Sequence, residues 1–283
     1  MRGPYFISAI VVLGGLAGGL AGGLAACGPG PRSHGPGDDD GMADAGADHD
    51  GGPGSDGTTY VYAHTADELY RVDPDTYNVT LVARFDWPSI PDEMTDLAID
   101  RTGLMIGLSF GAVYRVDPAT AQATRLSYTT GGMFNGMSFV PADMIGQTGD
   151  DVLVATRNED GQVFRIDPAS GDVTPIGDMG ASYVSSGDLC AVAGFGTAQT
   201  IPGAASDVLA KLAPVTFAAQ PAAAATGFDK IWGVAFWKSE VFGFTKGGQF
   251  VLIDPVSGTG TVKATGGPAW WGAAVTTIAP VVQ

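Results

Sequence analysis

Three features of the sequence predict an all-β fold built from repeated units. Glycine and proline, 43 and 18 of the 283 residues, far exceed their average combined share of about 12%, and glycine disfavours helical bundles because it costs about 1 kcal/mol at each helix-interior site. A segment ending in Asp-Pro recurs along the chain, and a short apolar segment with a small residue in its fourth position recurs five times. Together these features predict a β-propeller.

The Asp-Pro segment is followed by hydroxyl residues at fixed distances, a Thr or Ser three residues after the Asp and a Thr seven residues after it. The four complete copies are residues 70–74, 114–118, 164–168 and 251–255. Their Asp residues are 44, 50 and 87 residues apart, so the last interval spans two periods. This spacing predicts a degenerate fifth copy at residues 210–214, where Ala213 replaces the Asp.

Each Asp-Pro pair is predicted to join two strands. The Asp side chain can accept hydrogen bonds from the following main-chain N–H groups, and Pro presets φ for the first central position of a type I turn. A β-rich segment follows the pair, as in residues 79–83 and 259–264. An Asp that recurs in this way indicates a structural cap and not a catalytic group.

The second repeated segment predicts the innermost strand of each unit. Its copies are residues 95–99, 135–139, 187–191, 232–236 and 271–275. The small residues of its fourth position are Ala98, Ser138, Cys190, Ala235 and Ala274. Small side chains suit the crowded strand where the blades of a propeller converge, and four strands in 40–50 residues are typical of one blade. In this position Cys190 is interpreted as a buried structural thiol.

Both motifs predict five blades. The repeat region begins at about Thr58 with three strands before the first inner segment and ends with an unpartnered inner strand at residues 270–280. If that strand completes the first blade, the ring closes with no exposed edge. We therefore predict a five-bladed β-propeller of four-stranded blades over residues 58–283, closed by the C-terminal strand. A six-bladed ring is the alternative if a degenerate unit lies within residues 140–230.

With these motifs the repeat region resembles a broad group of bacterial propellers with Asp-Pro-x-Thr-Gly turns. That group borders the quinoprotein-like, NHL-like and gluconolactonase-like rings. The resemblance covers about 226 residues and implies an architecture. It implies no single function, because such rings serve as sensors, scaffolds, binding proteins and lactonases.

Residues 1–26 are typical of a bacterial export signal, with one early charge, Arg2, and no ionisable group from residue 6 to 26. Residues 24–27, Leu-Ala-Ala-Cys, resemble the lipobox of bacterial lipoproteins. That resemblance implies that Cys27 becomes the lipidated N-terminus, anchored in the cell envelope, with Gly28 favouring the outer membrane and its periplasmic or surface face. An ordinary secreted protein is the alternative.

A tether is predicted between Cys27 and residue 57. Residues 28–57 contain seven Asp against one Arg, a net charge of −6, and no large aliphatic or aromatic residue. Such a segment cannot bury enough surface to offset the entropy of ordering, so it is expected to be disordered and extended. Residues 48–51 echo part of an EF-hand loop, but the terminal Glu that such a loop requires is absent, since the first Glu of the chain is Glu68.

Charge and residue inventory restrict the function. The net charge of −16 argues against nucleic acid as a partner, because phosphate binding needs a positive surface. Residues 58–283 carry 12 basic and 23 acidic residues, a balance that favours a cationic or neutral partner. His64 is the only His of this region, which excludes multi-histidine metal sites. We interpret it as a half-exposed strand residue and not as the base of a Ser-His-Asp triad.

The enzymatic alternative follows from the gluconolactonase-like resemblance, which implies a divalent metal held in the central channel by Glu, Asn and Asp. Asp96, Asn135 and Asp188 lie on three inner segments and could hold Ca²⁺ together with water molecules. The expected Glu is missing from the inner segments. A metal-dependent lactonase- or lyase-like hydrolase is therefore the alternative function, with these three residues as its candidate metal site.

The favoured function is a membrane-anchored binding or scaffold module without catalytic residues or a cofactor. Trp232 and Trp271 share the first position of their inner segments, which should point to one end of the channel, and Asp96, Asn135 and Asp188 complete the candidate ligand site. Aromatic rings beside polar groups suit a sugar, a peptide or another small molecule, although the two Trp could instead pack between blades. We expect a monomer whose partners are the membrane, through the lipid, and an unidentified protein, glycan or small molecule.

Overall fold

The computed structural model of the chain describes residues 60–129, 133–180 and 182–282. Within these residues twenty strands form five four-stranded antiparallel sheets, and the only helix is a short 3₁₀ segment, Ala142–Ile145. The described residues contain no helix that is long and apolar enough to cross a membrane. The five-bladed β-propeller predicted from the sequence is confirmed. The predicted leader, Cys27 and the whole predicted tether lie outside the described residues.

The strands follow one another in chain order, and each sheet is one blade. Blade 1 contains β1 (Val61–His64), β2 (Glu68–Val72) and β3 (Val79–Arg84). Blade 2 contains β4 (Asp96–Ile99), β5 (Met105–Leu108), β6 (Ala112–Val116) and β7 (Ala123–Tyr128). Blade 3 contains β8 (Phe134–Val140), β9 (Val152–Arg157), β10 (Gln162–Ile166) and β11 (Val173–Asp178). Blade 4 contains β12 (Leu189–Val192), β13 (Gly196–Ile201), β14 (Val208–Leu212) and β15 (Ala219–Pro221). Blade 5 contains β16 (Ile231–Trp237), β17 (Glu240–Thr245), β18 (Phe250–Ile253) and β19 (Gly260–Ala264).

The last strand closes the ring. Strand β20 (Gly272–Ala274) pairs with β1 of blade 1, with Ala274 opposite Tyr62 and Gly272 opposite His64. The five inner strands then pack in the cyclic order β20, β4, β8, β12, β16 and back to β20. The closing strand is shorter than the predicted segment of residues 270–280, because the chain leaves the sheet after Ala274 and crosses one end of the ring.

The small fourth position of the inner strands is buried in every blade, from Ala235 at 0% exposure to Ser138 at 6%. Cys190 is buried in the same ring, as predicted, and burial raises the pKa of its thiol. Larger apolar side chains fill the spaces between blades. The largest of these clusters among the described residues runs from blade 4 through blade 5 to blade 1 and contains Phe242, Phe250 and Trp270.

The Asp-Pro turns have the predicted geometry. In each, Oδ1 of the Asp accepts the N–H groups two and three residues further on: Asp73 at 3.0 and 2.9 Å, Asp117 at 2.8 and 3.1 Å, Asp167 at 2.8 and 3.2 Å, and Asp254 at 2.9 and 2.6 Å. The degenerate copy also forms a turn, since Phe217 N–H donates to Ala213 O at 2.8 Å. Without an Asp acceptor, its Val215 N–H donates instead to Met144 O of blade 3 at 3.0 Å.

Candidate functional site

The channel has two different ends. The inner strands begin at one of them, which we call the entrance, and they end beside the Asp-Pro turns at the other, which we call the turn end. A parallel bridge between Ile99 and Thr276 shows that β4 and the chain leaving β20 run in the same direction. The first position of each inner segment therefore lies at the entrance, and the second and fourth positions follow deeper in the channel.

Residues 275–282 close the turn end by contacting four other blades. The contacts are Thr276 Oγ1 to Asp100 O (2.9 Å, blade 2), Thr277 Oγ1 to Asp151 Oδ2 (2.6 Å, blade 3), Ala193 N to Thr277 O (2.7 Å, blade 4) and Lys238 N to Pro280 O (2.9 Å, blade 5). Asp151 is held from a second direction, because Arg101 Nε donates to its Oδ1 at 2.9 Å. Residues 275–282 therefore cross the turn end of the channel.

Two carboxyl groups fill the second position of the inner segments. Asp96 and Asp188 are 1% and 0% exposed, and the other three strands have glycine there, Gly136, Gly233 and Gly272. Main-chain N–H groups surround the carboxyls: Leu97 N to Asp96 Oδ1 (2.8 Å), and Leu189 N, Val234 N and Ala273 N to Asp188 (2.6, 2.8 and 3.1 Å). The N–H of Met137 is also directed at Asp96, so each of the five inner strands contributes one donor.

The two carboxyls share a proton. Burial is the main reason why the pKa values of both Asp96 and Asp188 are raised well above their usual range, and a side-chain hydrogen bond joins the two groups. Such a bond requires a proton on one of them. Asp96 Oδ2 receives no donor among the described residues, whereas both oxygens of Asp188 accept N–H groups. The hydrogen bond between the two groups raises the pKa of Asp188 and lowers that of Asp96, which by itself would place the proton on Asp188. We follow the main-chain donors instead, because they occupy both oxygens of Asp188, and assign the proton to Asp96 and the negative charge to Asp188.

His64 lies beside this pair and is 0% exposed, so the interpretation of a half-exposed strand residue was wrong. Its partner on β20 is glycine, and a Cβ at Gly272 would overlap His64 Nε2 and Asp96 Oδ1. Nδ1 of His64 donates to Thr65 O at 2.9 Å, and Nε2 lies 4.0 Å from Asp96 Oδ1. Burial lowers the His64 pKa to about 4, so the imidazole is neutral at pH 7.

A buried polar network on blade 4 supports the carboxyl pair. Gln199 Nε2 donates to Ser185 Oγ at 2.9 Å and to Asp188 O at 3.0 Å, and Gln199 Oε1 accepts Thr156 Oγ1 at 3.0 Å. Sequence analysis missed this network. The signal that could have revealed it is the alternation of Thr and Gln within β13, whose residues are buried from Thr197 onward.

The entrance carries an exposed aromatic pair. Trp232 and Trp271 meet edge to face, with ring centroids 6.1 Å apart and planes at 87°, and both are partly exposed. Lys246 places its ammonium 4.3 Å above the Trp232 ring. The neighbouring Trp270 is 2% exposed and belongs to the core, where it packs against Tyr70.

β-Bulges place two of the entrance residues. The register of β16 with β17 shifts between Ile231 and Gly233, which leaves Trp232 unpaired, and β8 has the same shift at Asn135. A bulge of this kind redirects a side chain and is common beside functional sites. Trp271 is held differently, by donation of its main-chain N–H to His64 O at 2.8 Å.

Asn135 is not grouped with the two aspartates. It occupies the first position of its inner segment, whereas Asp96 and Asp188 occupy the second, and its Nδ2 donates to Ser185 O at 3.3 Å. The part of the chain that the structure describes contains no group of three His, Cys, Asp or Glu that could hold a metal ion. The calcium site stays an untested prediction, and main-chain donors already engage Asp96 Oδ1 and both oxygens of Asp188.

No protein-family model matches the sequence, and no curated protein matches it either. Among solved structures, the chain is similar to a chain of a nidogen/laminin complex, at 9% identity and a TM-score of 0.47 over 77% of this chain and 98% of that one. It is also similar to a protein of unknown function from Bacteroides caccae, at 10% identity and a TM-score of 0.41 over 73% of this chain and 72% of that one. A third similar structure is YCF48 from Cyanidioschyzon merolae, at 16% identity and a TM-score of 0.38 over 70% of this chain and 66% of that one. The propeller assignment rests on the sheet order of this chain itself.

Proposed function

We propose that this protein is a cell-envelope binding module that takes its ligand at the entrance of the propeller channel. The observation that carries the proposal is the edge-to-face pair of Trp232 and Trp271, partly exposed at the end of the channel opposite to the one that residues 275–282 cross. Large aromatic rings that stay exposed beside polar groups are typical of ligand-binding surfaces.

The carboxyl pair below the entrance supports binding more than catalysis. Asp96 and Asp188 are fully buried, and the N–H groups of Leu189, Val234 and Ala273 hold Asp188 in place. A general acid or base must come within hydrogen-bond reach of the reacting group. Because both carboxyls are buried, a ligand resting on Trp232 and Trp271 would not touch them. No specific observation favours the lactonase-like alternative over a binding role.

The proposed lipid anchor is compatible with an open entrance. The chain enters the ring at the turn end, because Val61 pairs with Val72 immediately before the Asp73 turn, and Arg71 lies 4.2 Å over the Tyr60 ring. A tether running from Cys27 to this point would leave the entrance free. We therefore propose that lipid at Cys27 anchors the ring in the outer membrane while the ligand binds at the opposite end.

Ligand binding is tested by calorimetric titration of the purified protein with a panel of glycans and peptides. We expect at least one ligand whose affinity falls when either Trp232→Ala or Trp271→Ala is introduced. Trp87→Ala is the matched control, because Trp87 is also partly exposed but packs against Phe85 and Tyr114 and not against the Trp232–Trp271 pair. Failure of every ligand to bind, or equal losses in the control, would contradict the proposal.

The anchor is tested by cell fractionation of wild type and Cys27→Ser. We expect the wild type in the membrane fraction and the variant in the soluble fraction, because several acyl chains give durable membrane attachment. Retention of the variant in the membrane would contradict lipidation and indicate an uncleaved N-terminal helix.

A further inference from the structure

Two lysines lie beside Trp232 at the entrance, although the protein as a whole is acidic. Lys246 and Lys230 are neighbours on blade 5, since the main-chain N–H of Lys246 donates to Lys230 O at 2.9 Å. Neither lysine forms an ion pair with any described residue. Of the nearby acids, Asp207 is 6% exposed and accepts the N–H of Ile231 at 2.8 Å, which leaves Asp229 as the exposed acid of this neighbourhood.

The position of Lys246 restricts what can stack on Trp232. Its ammonium already lies over one face of the indole at 4.3 Å. A cationic ligand would compete for the same face and be repelled, and a neutral ligand would have to displace the ammonium without giving it a partner. A ligand with a carboxylate can stack on the rings and accept the displaced ammonium as an ion-pair partner.

The remaining entrance groups favour a sugar ring as the body of the ligand. The two indoles stand at 87° to each other, so they present apolar faces of limited size, which suit the C–H face of a pyranose. Asn135 and Thr95 lie at the same level of the ring on neighbouring blades and are partly exposed. The Thr95 hydroxyl already donates to Leu108 O and the Asn135 amide to Ser185 O, so Thr95 Oγ1 can still accept a hydrogen bond from a sugar hydroxyl and Asn135 Nδ2 can donate its second hydrogen.

We infer that the entrance binds acidic carbohydrate, a sugar chain bearing carboxylates, with Trp232 and Trp271 stacking on the rings and Lys246 pairing with a carboxylate. This inference rests on the proposed function and specifies its ligand. It also departs from the cationic or neutral partner expected from the sequence. The net charge sums over the whole ring, including exposed acids such as Glu93 and Asp229, whereas a ligand on the Trp232 ring meets the ammonium of Lys246 directly.

The test compares trigalacturonic acid with its methyl ester, in which the same rings lack the negative charge. By calorimetry we expect the acid to bind about three- to fivefold more tightly than the ester, the range of an exposed ion pair. The difference should shrink in about 0.5 M salt, because exposed charges are screened. Lys246→Gln should abolish it. Lys263→Gln should not, although Lys263 also covers an aromatic ring, Tyr77, at 3.8 Å.

The outcomes separate this inference from the proposed function. Equal or tighter binding of the ester, equal losses in Lys246→Gln and Lys263→Gln, or no binding of either sugar would overturn the acidic-carbohydrate inference. The binding module itself would stand if Trp232→Ala and Trp271→Ala weakened any ligand of the wider panel. It would fall only if no ligand of that panel depended on the two Trp residues.

Discussion

The carboxyl groups of Asp96 and Asp188 are joined by a side-chain hydrogen bond inside the propeller channel, 92 residues apart in sequence. N–H groups from all five inner strands are directed at this pair. A buried charge is tolerated when hydrogen bonds replace its hydration. Here the pair accepts hydrogen bonds from N–H groups that converge where the blades meet. It therefore links inner strands that belong to different sheets.

The two members of the pair should respond differently to neutralisation. Asp188→Asn leaves one acceptor oxygen where two now accept N–H groups, and an unpaired buried donor costs about 1–3 kcal/mol. Asp96→Asn keeps an acceptor for Leu97 and places an amide donor where we assign the shared proton. Thermal unfolding should show Asp188→Asn lowering the melting temperature by several degrees, at about 2–4 °C per kcal/mol, and Asp96→Asn by clearly less. A larger loss in Asp96→Asn would contradict our assignment of the proton.

The shared proton should also appear in the pH dependence of stability. Because the folded pKa values of the pair are raised, the folded state keeps a proton that the unfolded chain releases above about pH 4. The free energy of unfolding should therefore fall as the pH rises toward the folded pKa. Urea unfolding from pH 4 to 8 should show a smaller fall in Asp96→Asn than in wild type. Identical slopes would argue against a shared proton.

His64 should give the free energy of unfolding the opposite dependence on pH. Its folded pKa of about 4 lies below the usual value of about 6.5, so the unfolded chain takes up a proton between these values and stability is lost as the pH falls from 6.5 to 4. The difference corresponds to about 3 kcal/mol. His64→Asn preserves a donor toward Thr65 O but cannot titrate. Relative to this variant, wild type should lose more stability between pH 7 and 4, and a parallel loss would contradict a buried neutral His64.

Position 272 should not tolerate even the methyl side chain of alanine. A Cβ at this position of the closing strand would overlap His64 Nε2 and Asp96 Oδ1 and would press against His64 Cδ2. We expect Gly272→Ala to destabilise the protein by about 1–3 kcal/mol, the usual range for overpacking a core. Gly111→Ala is the control, because nothing lies within 4 Å of a Cβ there. Calorimetric melting curves should separate the two variants, and equal melting temperatures would show that the channel adapts to the added methyl.

The Asp side chains that cap the Asp-Pro turns should contribute modestly to the free energy of unfolding. Asp254 Oδ1 accepts the N–H groups of Val256 and Ser257 at 2.9 and 2.6 Å, and these bonds lower its pKa. Asp254→Ala should destabilise the protein by about 1 kcal/mol, as for other lost caps, while Asp254→Asn keeps an acceptor and should lose less. Chemical denaturation measures both values. An equal loss in the two variants would mean that the hydrogen bonds to Oδ1 are not the source of stability.

The sequence identified several residues of the candidate site but not which of them lie together. The repeat alignment placed Trp232 and Trp271 in one column, and the structure brings them into contact. The predicted metal site grouped Asn135 with Asp96 and Asp188, although the alignment places Asn135 one position before them, and in the structure a bulge leaves Asn135 unpaired at the level above them. Single-residue bulges change the direction of a side chain without changing the hydrophobic pattern, so the sequence alone does not reveal them.

The sequence by itself determined the blades, the Asp-Pro turns, the small inner ring and the closure by the last strand. These features depend on residues close together in the chain or on a pattern repeated in every blade. Only the tertiary structure decided that Asp96 and Asp188 share a proton, that His64 is buried beside them and that residues 275–282 cover the turn end. Each of these joins different blades. Ring closure alone brings such groups within hydrogen-bonding distance, and the burial that results then sets their charge.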